Sequence, residues 1–340
     1  AGTEAGGTLP LAGAHYCLGT VSNSMGSLAA ARDHLTKALS VHNLQDHHSP
    51  HARNLTIYCY SERALTHWLM GYVEQSQRDI DLAKDHARQF QDPISSAHSR
   101  LFAIVCLQYA GNPSTVLEEG ESLLEFCADH GLGMEAAWLS PLVGWAMAQT
   151  GAQGEGINRI RSSIDALQSM GAYLSLPHYR LLLAEALAGA GQIDDAFTAI
   201  EEGLSTAERT QGHLYDSALQ RLKGELWVKR STDGAAETDL AETEIKQAEK
   251  CFLQSIDIAR RQQAKSYELR AAISLTSLYQ QLGRPERTYL LLEDLCAWFT
   301  EGLGAADLVR AKQMLEETNR RCGLARRLPL SAVFLEDNSD

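Results

Sequence analysis

Residues 190–196 read Ala-Gly-Gln-Ile-Asp-Asp-Ala, a tight turn between two apolar, helix-like runs. Five glycines close such runs at nearly equal intervals: Gly26, Gly71, Gly111, Gly151 and Gly191. The steps between them are 45, 40, 40 and 40 residues, and Gly283 follows 92 residues later, close to two further steps. A period of this size predicts stacked helical hairpins, because each hairpin can bury its apolar face only against its neighbours.

Small and large residues recur at fixed distances around these glycines. In one unit the pattern is Ala184, Gly191, Ala196, Ile200 and Gly203, and the same offsets return at Gly19, Gly26, Ala31, Leu35 and Ala38, and at Ala64, Gly71, Ser76, Ile80 and Ala83. Small residues let two helices of a hairpin approach, and the large residue fills the space between them. The third unit has Val116 and Gly120 at these positions, so we expect its packing to be irregular.

Helix boundary signals agree with this spacing. Pro93, Pro113 and Pro285 each stand where a helix can begin, and the first two follow the capping residues Asp92 and Asn112. Apolar and β-branched residues do not alternate over any long window, so strands are not expected. The sequence therefore predicts an all-α solenoid.

The predicted organisation has four parts. Residues 1–10 are expected to form a linker, and 11–303 an array of six or seven antiparallel helix pairs with a polar insertion at about 231–243. Residues 304–322 carry apolar positions on one stripe and charges elsewhere, as expected for a capping helix. Residues 323–340 are expected to form a C-terminal tail.

The small–Gly–small–large–small pattern resembles the tetratricopeptide repeat (TPR) family, over roughly Leu11 to Phe299. The resemblance implies a right-handed superhelix whose first helices line a concave groove. The family period is 34 residues, whereas this chain uses about 40, which implies longer helices or loops.

A narrower resemblance rests on segments near the C-terminus. They are Leu-Lys-Gly-Glu-Leu at 222–226, Glu-Leu-Arg-Ala-Ala at 268–272, Leu-Tyr-Gln-Gln-Leu-Gly-Arg at 278–284 and Trp-Phe-Thr-Glu-Gly at 298–302. These segments resemble the C-terminal repeat region of large bacterial signalling proteins, which join a nucleotide-cyclase-like or DNA-binding domain to a STAND-type ATPase. The resemblance implies the sensor or scaffold end of such a protein.

Composition limits the partners and the compartment. The net charge of −13 argues against nucleic acid and against an anionic membrane as partners. No apolar run reaches about 18 residues, so no membrane span is expected. The seven cysteines form no Cys-x-x-Cys pair, and most lie in apolar helical stretches. These cysteines favour a reducing, cytoplasmic environment.

The sequence contains no recognisable catalytic or cofactor motif. A Walker-type phosphate loop, a His-Glu-x-x-His pair, a Gly-x-Ser-x-Gly elbow and an EF-hand loop are all missing. The densest group of metal-capable residues lies in 42–51, with four histidines beside Asp46, and we interpret it as a solvated polar loop. We therefore predict no enzyme activity, no cofactor and no metal site.

The TPR resemblance places candidate binding residues on the concave face. They are Tyr16, Asn23, Tyr58, Ser61, Trp68, His98, Gln108, Trp138, Trp145, His178, Glu185, Arg221, Glu225, Arg270 and Gln280. Pro141 is expected to start its helix late and to leave Trp138 in a loop. The groove is aromatic in its N-terminal half and of mixed charge in its C-terminal half, which suits an amphipathic helix, an apolar peptide or a small ligand.

The resulting hypothesis is a non-catalytic binding or scaffold domain with regulatory function, whose groove takes a peptide, a protein or a small-molecule effector. One alternative is a structural self-association module without a ligand, which a concentration-dependent mass would favour. A further alternative is an enzyme with an unrecognised site, which turnover by the isolated chain would favour.

Overall fold

The computed structural model describes residues 5–41, 50–233 and 238–322, which form fifteen α-helices, one 3-10 turn and no strand. The helices are α1 Ala5–Ser24, α2 Leu28–Val41, α3 Pro50–Leu69, α4 Val73–Phe90, α5 Pro93–Tyr109, α6 Pro113–His130, α7 Gly133–Gln149, α8 Gln153–Ser169, α9 Leu176–Gly189, α10 Ile193–Thr210, α11 Asp216–Asp233, α12 Thr238–Gln262, α13 Lys265–Gln281, α14 Tyr289–Trp298 and α15 Ala306–Cys322. The 3-10 turn is Pro285–Thr288. The predicted all-α solenoid of helix pairs is confirmed.

The turns of the array repeat every 20 residues, twice as often as the glycines that predicted it. Eight residues with left-handed backbone conformation stand at this spacing, with φ between 52° and 112°: Gly71, Gln91, Gly111, Gly131, Gly151, Gly171, Gly191 and Gln211. A left-handed residue ends a helix, and glycine adopts this conformation without a Cβ clash. Every helix of these four units therefore ends at the same point of the repeat.

Small residues stand where the helices cross most closely. A Cβ added to Gly156 would lie 2.3 Å from the carbonyl oxygen of Gly144, so α7 and α8 meet backbone to backbone. In the third unit, Gly120 leaves room for Val143 of α7, whose Cγ2 would lie 2.6 Å from an added Cβ. Gly120, which departs from the repeat pattern, therefore allows close packing of the third unit against the fourth.

The helix starts follow the sequence signals in part. Asp92 caps α5, because its Oδ2 accepts a 2.9 Å hydrogen bond from the backbone N–H of Ser95. Asn112 makes no such bond. The expectation that Pro141 delays its helix is wrong, because α7 runs through it from Gly133 and holds Trp138 in the helix. Buried apolar residues on both sides of Pro141 outweigh the backbone hydrogen bond that proline removes.

The segments predicted from the sequence can be compared with the observed helix bounds. Helix α1 begins at Ala5, inside the segment expected to be a linker, and α15 covers the region of the expected capping helix. Helix α11 continues to Asp233 and α12 begins at Thr238, so helix covers much of the expected polar insertion. The tail at 323–340 and the histidines at 42–48 lie outside the described residues. Within the described ranges, no three His, Cys, Asp or Glu residues are placed to hold a metal ion.

The two ends of the array touch each other. Glu301, which follows α14, accepts hydrogen bonds from the backbone N–H groups of Glu74 and Gln75 at the start of α4, at 3.0 and 3.2 Å. The backbone N–H of Leu214 donates to the carbonyl oxygen of Ser24 at 3.2 Å. The superhelix therefore closes on itself, and its concave surface becomes the interior of the molecule. None of the described helices is both long and apolar enough to cross a lipid bilayer.

Candidate functional site

An aromatic cluster fills the axis of the closed superhelix. The rings of Trp68 and Tyr109 lie 5.0 Å apart, and the ring of His178 stacks parallel on Tyr215 at 4.6 Å. The hydroxyl groups of Tyr109 and Tyr215 share a 2.9 Å hydrogen bond, and His178 Nε2 lies 3.1 Å from Gln108 Oε1. Burial lowers the pKa of His178 to about 3, so its ring is neutral near pH 7. Trp68, Gln108 and Tyr109 are therefore closed core, whereas His178 and Tyr215 also line an open pocket.

Polar groove candidates of the first units are also interior. Asn23 and Ser61 are 2% and 0% exposed. The Asn23 amide donates to Glu62 Oε2 at 3.1 Å and accepts from the Thr66 hydroxyl at 2.9 Å. Asn23 therefore positions the Glu62 carboxyl and is itself out of reach of a ligand.

A polar ladder joins the inner faces of four helices in the C-terminal half. Trp145 Nε1 donates to Glu185 Oε2 at 2.8 Å, and Glu185 lies 3.7 Å from Arg221, which pairs with Glu225 at 2.6 Å. The Ser274 hydroxyl of α13 donates to Glu225 at 2.7 Å. The mixed charges that the sequence predicted are present, and they are paired with one another.

Arg270 extends this polar region toward the closure of the superhelix. Its Nε pairs with Asp307 of α15 at 2.6 Å, a second nitrogen donates to the carbonyl oxygen of Tyr109, and its guanidinium lies over the ring of Trp68. Gln280 is half-buried on the same helix, near its C-terminal end. Arg270 therefore holds three elements together, and its hydrogen-bonding groups are largely used inside the protein.

An open pocket of about 430 Å³ remains on the N-terminal side of the concave surface. We call it the central pocket. Its lining comes from α1, α3, α5, α7 and α9 and from the α8–α9 and α10–α11 connections: Tyr16, Glu62, Leu65, His98, Leu101, Phe102, Val105, Trp138, Gly171, Ala172, Tyr173, Leu174, Ser175, His178, Tyr179 and Tyr215. Apolar and aromatic side chains form most of this surface, as is usual in ligand pockets.

The central pocket contains a single carboxyl group, that of Glu62 on α3. Burial raises the pKa of Glu62 to about 7, and the hydrogen bond from Asn23 opposes this shift. The carboxyl is therefore close to half-ionised near neutral pH, so a ligand that favours either form can shift it.

A row of rings leads along one wall of the pocket. The ring centroids of Tyr16 and Tyr58 are 6.1 Å apart, those of Tyr58 and His98 are 4.2 Å apart, and those of His98 and Phe102 are 4.6 Å apart. Burial lowers the pKa of His98 to about 3, and its buried Nε2 has no hydrogen-bond partner in the protein. The ring of His98 therefore places an unsatisfied nitrogen beside the pocket.

The structure divides the fifteen candidate residues into distinct environments. Tyr16, His98, Trp138 and His178 come together in the central pocket, with Tyr58 stacked behind His98. Trp68 and Trp145, both 6% exposed, pack in the interior. The hydroxyl of Tyr179 donates to the carbonyl oxygen of Trp138 at 3.0 Å and so fixes the opposite wall.

Sequence reasoning missed Glu62, Phe102, Tyr179 and Tyr215. Glu62 and Phe102 stand two positions before Ala64 and Ile104, where each unit has its crossing residue. The groove candidates of the sequence analysis stand at fixed distances from the crossing residue, one of them three positions before it. In α3 that position is Ser61, which is fully buried. Glu62 and Phe102 occupy the same position in two units, nine residues before the turn glycines Gly71 and Gly111. Counting back nine residues from each turn glycine would therefore have identified both.

The described lining of the central pocket offers binding groups and few nucleophilic side chains. No Cys or Lys lines it, and Ser175 is its one serine. Six cysteines with described environments, Cys17, Cys59, Cys106, Cys127, Cys251 and Cys296, carry free thiols. Burial raises the pKa of Cys106 and Cys59 to about 12, so both thiols remain protonated.

No protein-family model and no curated protein sequence matches the chain. Solved structures do match. NprR in complex with its cognate peptide NprX aligns with a TM-score of 0.59 at 11% identity, covering 92% of this chain and 85% of that one. The Rap conjugation gene regulator of the plasmid pLS20, in complex with the Phr* peptide, aligns with a TM-score of 0.52 at 12% identity, covering 92% and 76%.

Yeast Tom70 aligns with a TM-score of 0.51 at 10% identity and covers 86% of this chain and 61% of its own. At such low identities these alignments show a shared fold. The prediction of a TPR-like helical-repeat solenoid is thereby confirmed.

Proposed function

We propose that this chain is a non-catalytic regulatory domain that binds a peptide in the central pocket. The observation that carries the proposal is the pocket itself, an aromatic cavity of about 430 Å³ left open in a superhelix whose remaining concave surface is filled. A cavity of this size holds one or two side chains of a peptide, and its walls come from five helices and two connecting segments.

Two further observations support binding at this place. The unpartnered Nε2 of His98 and the carboxyl of Glu62 offer hydrogen-bonding groups within an otherwise apolar wall. Two proteins of the same fold, NprR and the Rap regulator of pLS20, have structures in complex with peptides. Rings that are held by their neighbours before binding lose little entropy when a ligand arrives.

The proposal includes a setting for the domain. We place it in the cytoplasm of a bacterium, as the sensor region of a larger signalling protein of the STAND-ATPase or transcription-regulator type, where peptide capture would bias the attached domains. The free cysteines support a reducing compartment. The C-terminal sequence segments support the signalling context.

A peptide library tests the function. The protein would be incubated with a random hexapeptide library, separated by size exclusion, and the retained peptides identified by mass spectrometry. A substitution that fills the pocket, Val105→Trp on α5, is expected to abolish retention. Retention of a defined set by the wild type only would support the proposal.

A matched control keeps this test specific. Leu253 on α12 is 50% exposed and does not line the pocket, so Leu253→Trp adds the same ring elsewhere. It is expected to retain the same peptides as the wild type. An empty wild-type eluate, or an unchanged peptide set with Val105→Trp, would contradict peptide binding in the pocket.

Self-association remains the second candidate function, and one surface favours it. The outer face of α1 exposes Leu11, Leu18, Val21 and Met25 at 48% to 54%. These positions follow a helical stripe, and α1 has no Asp, Glu, Lys or Arg, so two copies could meet there without charge repulsion. A mass that rises with concentration in the wild type, and stays monomeric with Leu18→Lys, would support this candidate.

A further inference from the structure

The described residues that line the central pocket carry charge of one sign. Among the sixteen described residues that line it, Glu62 is the only carboxylate and none is Lys or Arg. Its two histidines, His98 and His178, are neutral near pH 7 because burial lowers the pKa of each to about 3. An anion entering this pocket would therefore meet one negative group and no cation of the lining.

The walls around Glu62 are faces and edges of aromatic rings. Tyr16, Phe102, Trp138, Tyr179 and Tyr215 all line the same cavity. Aromatic faces carry negative electrostatic potential, which attracts a cation and does not attract a neutral hydroxyl in the same way. At the rim, the Arg209 guanidinium already lies 5.1 Å from the ring centroid of Tyr173, so a cation does sit on a ring of this site.

We infer that the central pocket selects a cationic group carried on an apolar stem, such as the protonated amine of a peptide's lysine side chain or N-terminus, with Glu62 as the counter-ion and the surrounding rings as its cage. The inference rests on the proposed function and adds the chemistry of the group that is recognised. The hydrogen bond from Asn23 fixes the Glu62 carboxyl.

Two small probes separate charge from apolar fit. 4-Phenylbutylamine and 4-phenylbutan-1-ol share ring and chain and differ in the charged end. Their dissociation constants would be measured at pH 8 by saturation-transfer NMR titration. We expect the amine to bind the wild type about tenfold more tightly than the alcohol. With Glu62→Gln, this preference should disappear, and the affinity of the alcohol should be unchanged.

Control variants define the outcomes. Glu155→Gln removes an exposed carboxylate on α8 outside the pocket and should keep the preference for the amine. Val105→Trp should block both probes, and thermal melts would verify that each variant is folded. Equal binding of the two probes, or an amine preference that survives Glu62→Gln, would overturn charge selection and leave the pocket as a ligand site.

The remaining outcome separates the inference from the proposed function. If neither probe binds the wild type, the inference is overturned, and the peptide library decides the proposed function independently. If the library yields peptides without enrichment of lysine, arginine or a free N-terminus, the function stands and the cation selectivity fails.

Discussion

The hydroxyl of Ser266 donates a 2.6 Å hydrogen bond to the backbone carbonyl oxygen of Trp68, 198 residues earlier in the chain. In an open solenoid each unit contacts only its neighbours, and stability is a sum of local terms. Here the bond joins the start of α13 to the end of α3. Together with the hydrogen bonds from the start of α4 to Glu301, it makes the second unit, α3–α4, and the last unit partners.

We expect Ser266→Ala to lower the free energy of unfolding by about 0.5–1.5 kcal/mol, because it removes a buried hydrogen bond while the Trp68 carbonyl oxygen keeps the Gly71 N–H as a donor at 3.0 Å. Chemical denaturation followed by circular dichroism would measure the change. Ser169→Ala is the control, since the Ser169 hydroxyl bonds the carbonyl oxygen of Ala166 in an exposed position. If the two substitutions lowered the free energy of unfolding equally, the closure contact would contribute no more than an exposed hydrogen bond within one helix.

Trp145 and Trp138 stand about two turns apart on α7 and should respond differently to truncation. Trp145 is 6% exposed and donates to Glu185, so Trp145→Ala should cost about 3–5 kcal/mol of unfolding free energy. Trp138 is half-buried against the central pocket, so Trp138→Ala should cost less and weaken binding of pocket ligands. The comparison requires denaturation curves and probe titrations of both variants.

A third variant separates the hydrogen bond from the packing. Trp145→Phe keeps an aromatic ring and leaves the Glu185 carboxylate without its indole donor, so its cost should be smaller, about 1–3 kcal/mol. Were Trp145→Ala to leave stability unchanged while abolishing binding, Trp145 would be a ligand-contacting groove residue rather than an interior one.

Glu62 should make the protein less stable as pH rises from about 4.5 to about 7. Its pKa is raised to about 7 in the folded state, so the folded chain holds a proton that the unfolded chain has released in this window. Relative to Glu62→Gln, the wild type should lose no more than about 3 kcal/mol across this range. Urea unfolding at a series of pH values would measure the difference.

The comparison with Glu62→Gln is necessary because two histidines act in the opposite direction. His98 and His178 have lowered pKa values in the folded state, so they make stability rise with pH between about 3 and 6.5 in both proteins. Their effect cancels in the difference between wild type and variant. Parallel pH profiles for the two proteins would show that Glu62 titrates with its ordinary pKa.

The fold could be predicted from the sequence because short-range sequence patterns determine where its helices end and cross. A glycine in the left-handed conformation, such as Gly191, ends its helix, and the small residues at the crossings act between adjacent helices. Pro141 misled the reasoning because the preference of one residue was outweighed by buried neighbours on the same helix. Such competition depends on tertiary packing, which no local pattern contains.

The site could be predicted from the sequence only in part, because the geometry of the closed superhelix decides which residues face the cavity. The offsets for the concave face assume an open superhelix, and three of the residues they select, Tyr16, His98 and Trp138, line the central pocket. Closure of the two ends buries Trp68 and Gln108 and leaves Glu62 facing the cavity. Closure depends on pairs such as Ser266 and Trp68 that lie far apart in sequence, so a repeat-by-repeat reading has no access to it.

Gln91 and Gly131 test the 20-residue turn rule directly. Each ends the second helix of its pair in left-handed conformation, with φ of 52° and 68°, and each is exposed. Because a side chain disfavours this conformation, Gln91→Gly should stabilise the protein by about 0.5–1 kcal/mol. Gly131→Gln should destabilise it by a similar amount, and since an added Cβ meets nothing within 4 Å, that loss would come from the backbone alone. Thermal melts of both variants and of the double variant would measure these changes in stability. We expect the double variant to be about as stable as the wild type, because the two opposite effects add when the sites do not couple. A stabilising Gly131→Gln would contradict the rule.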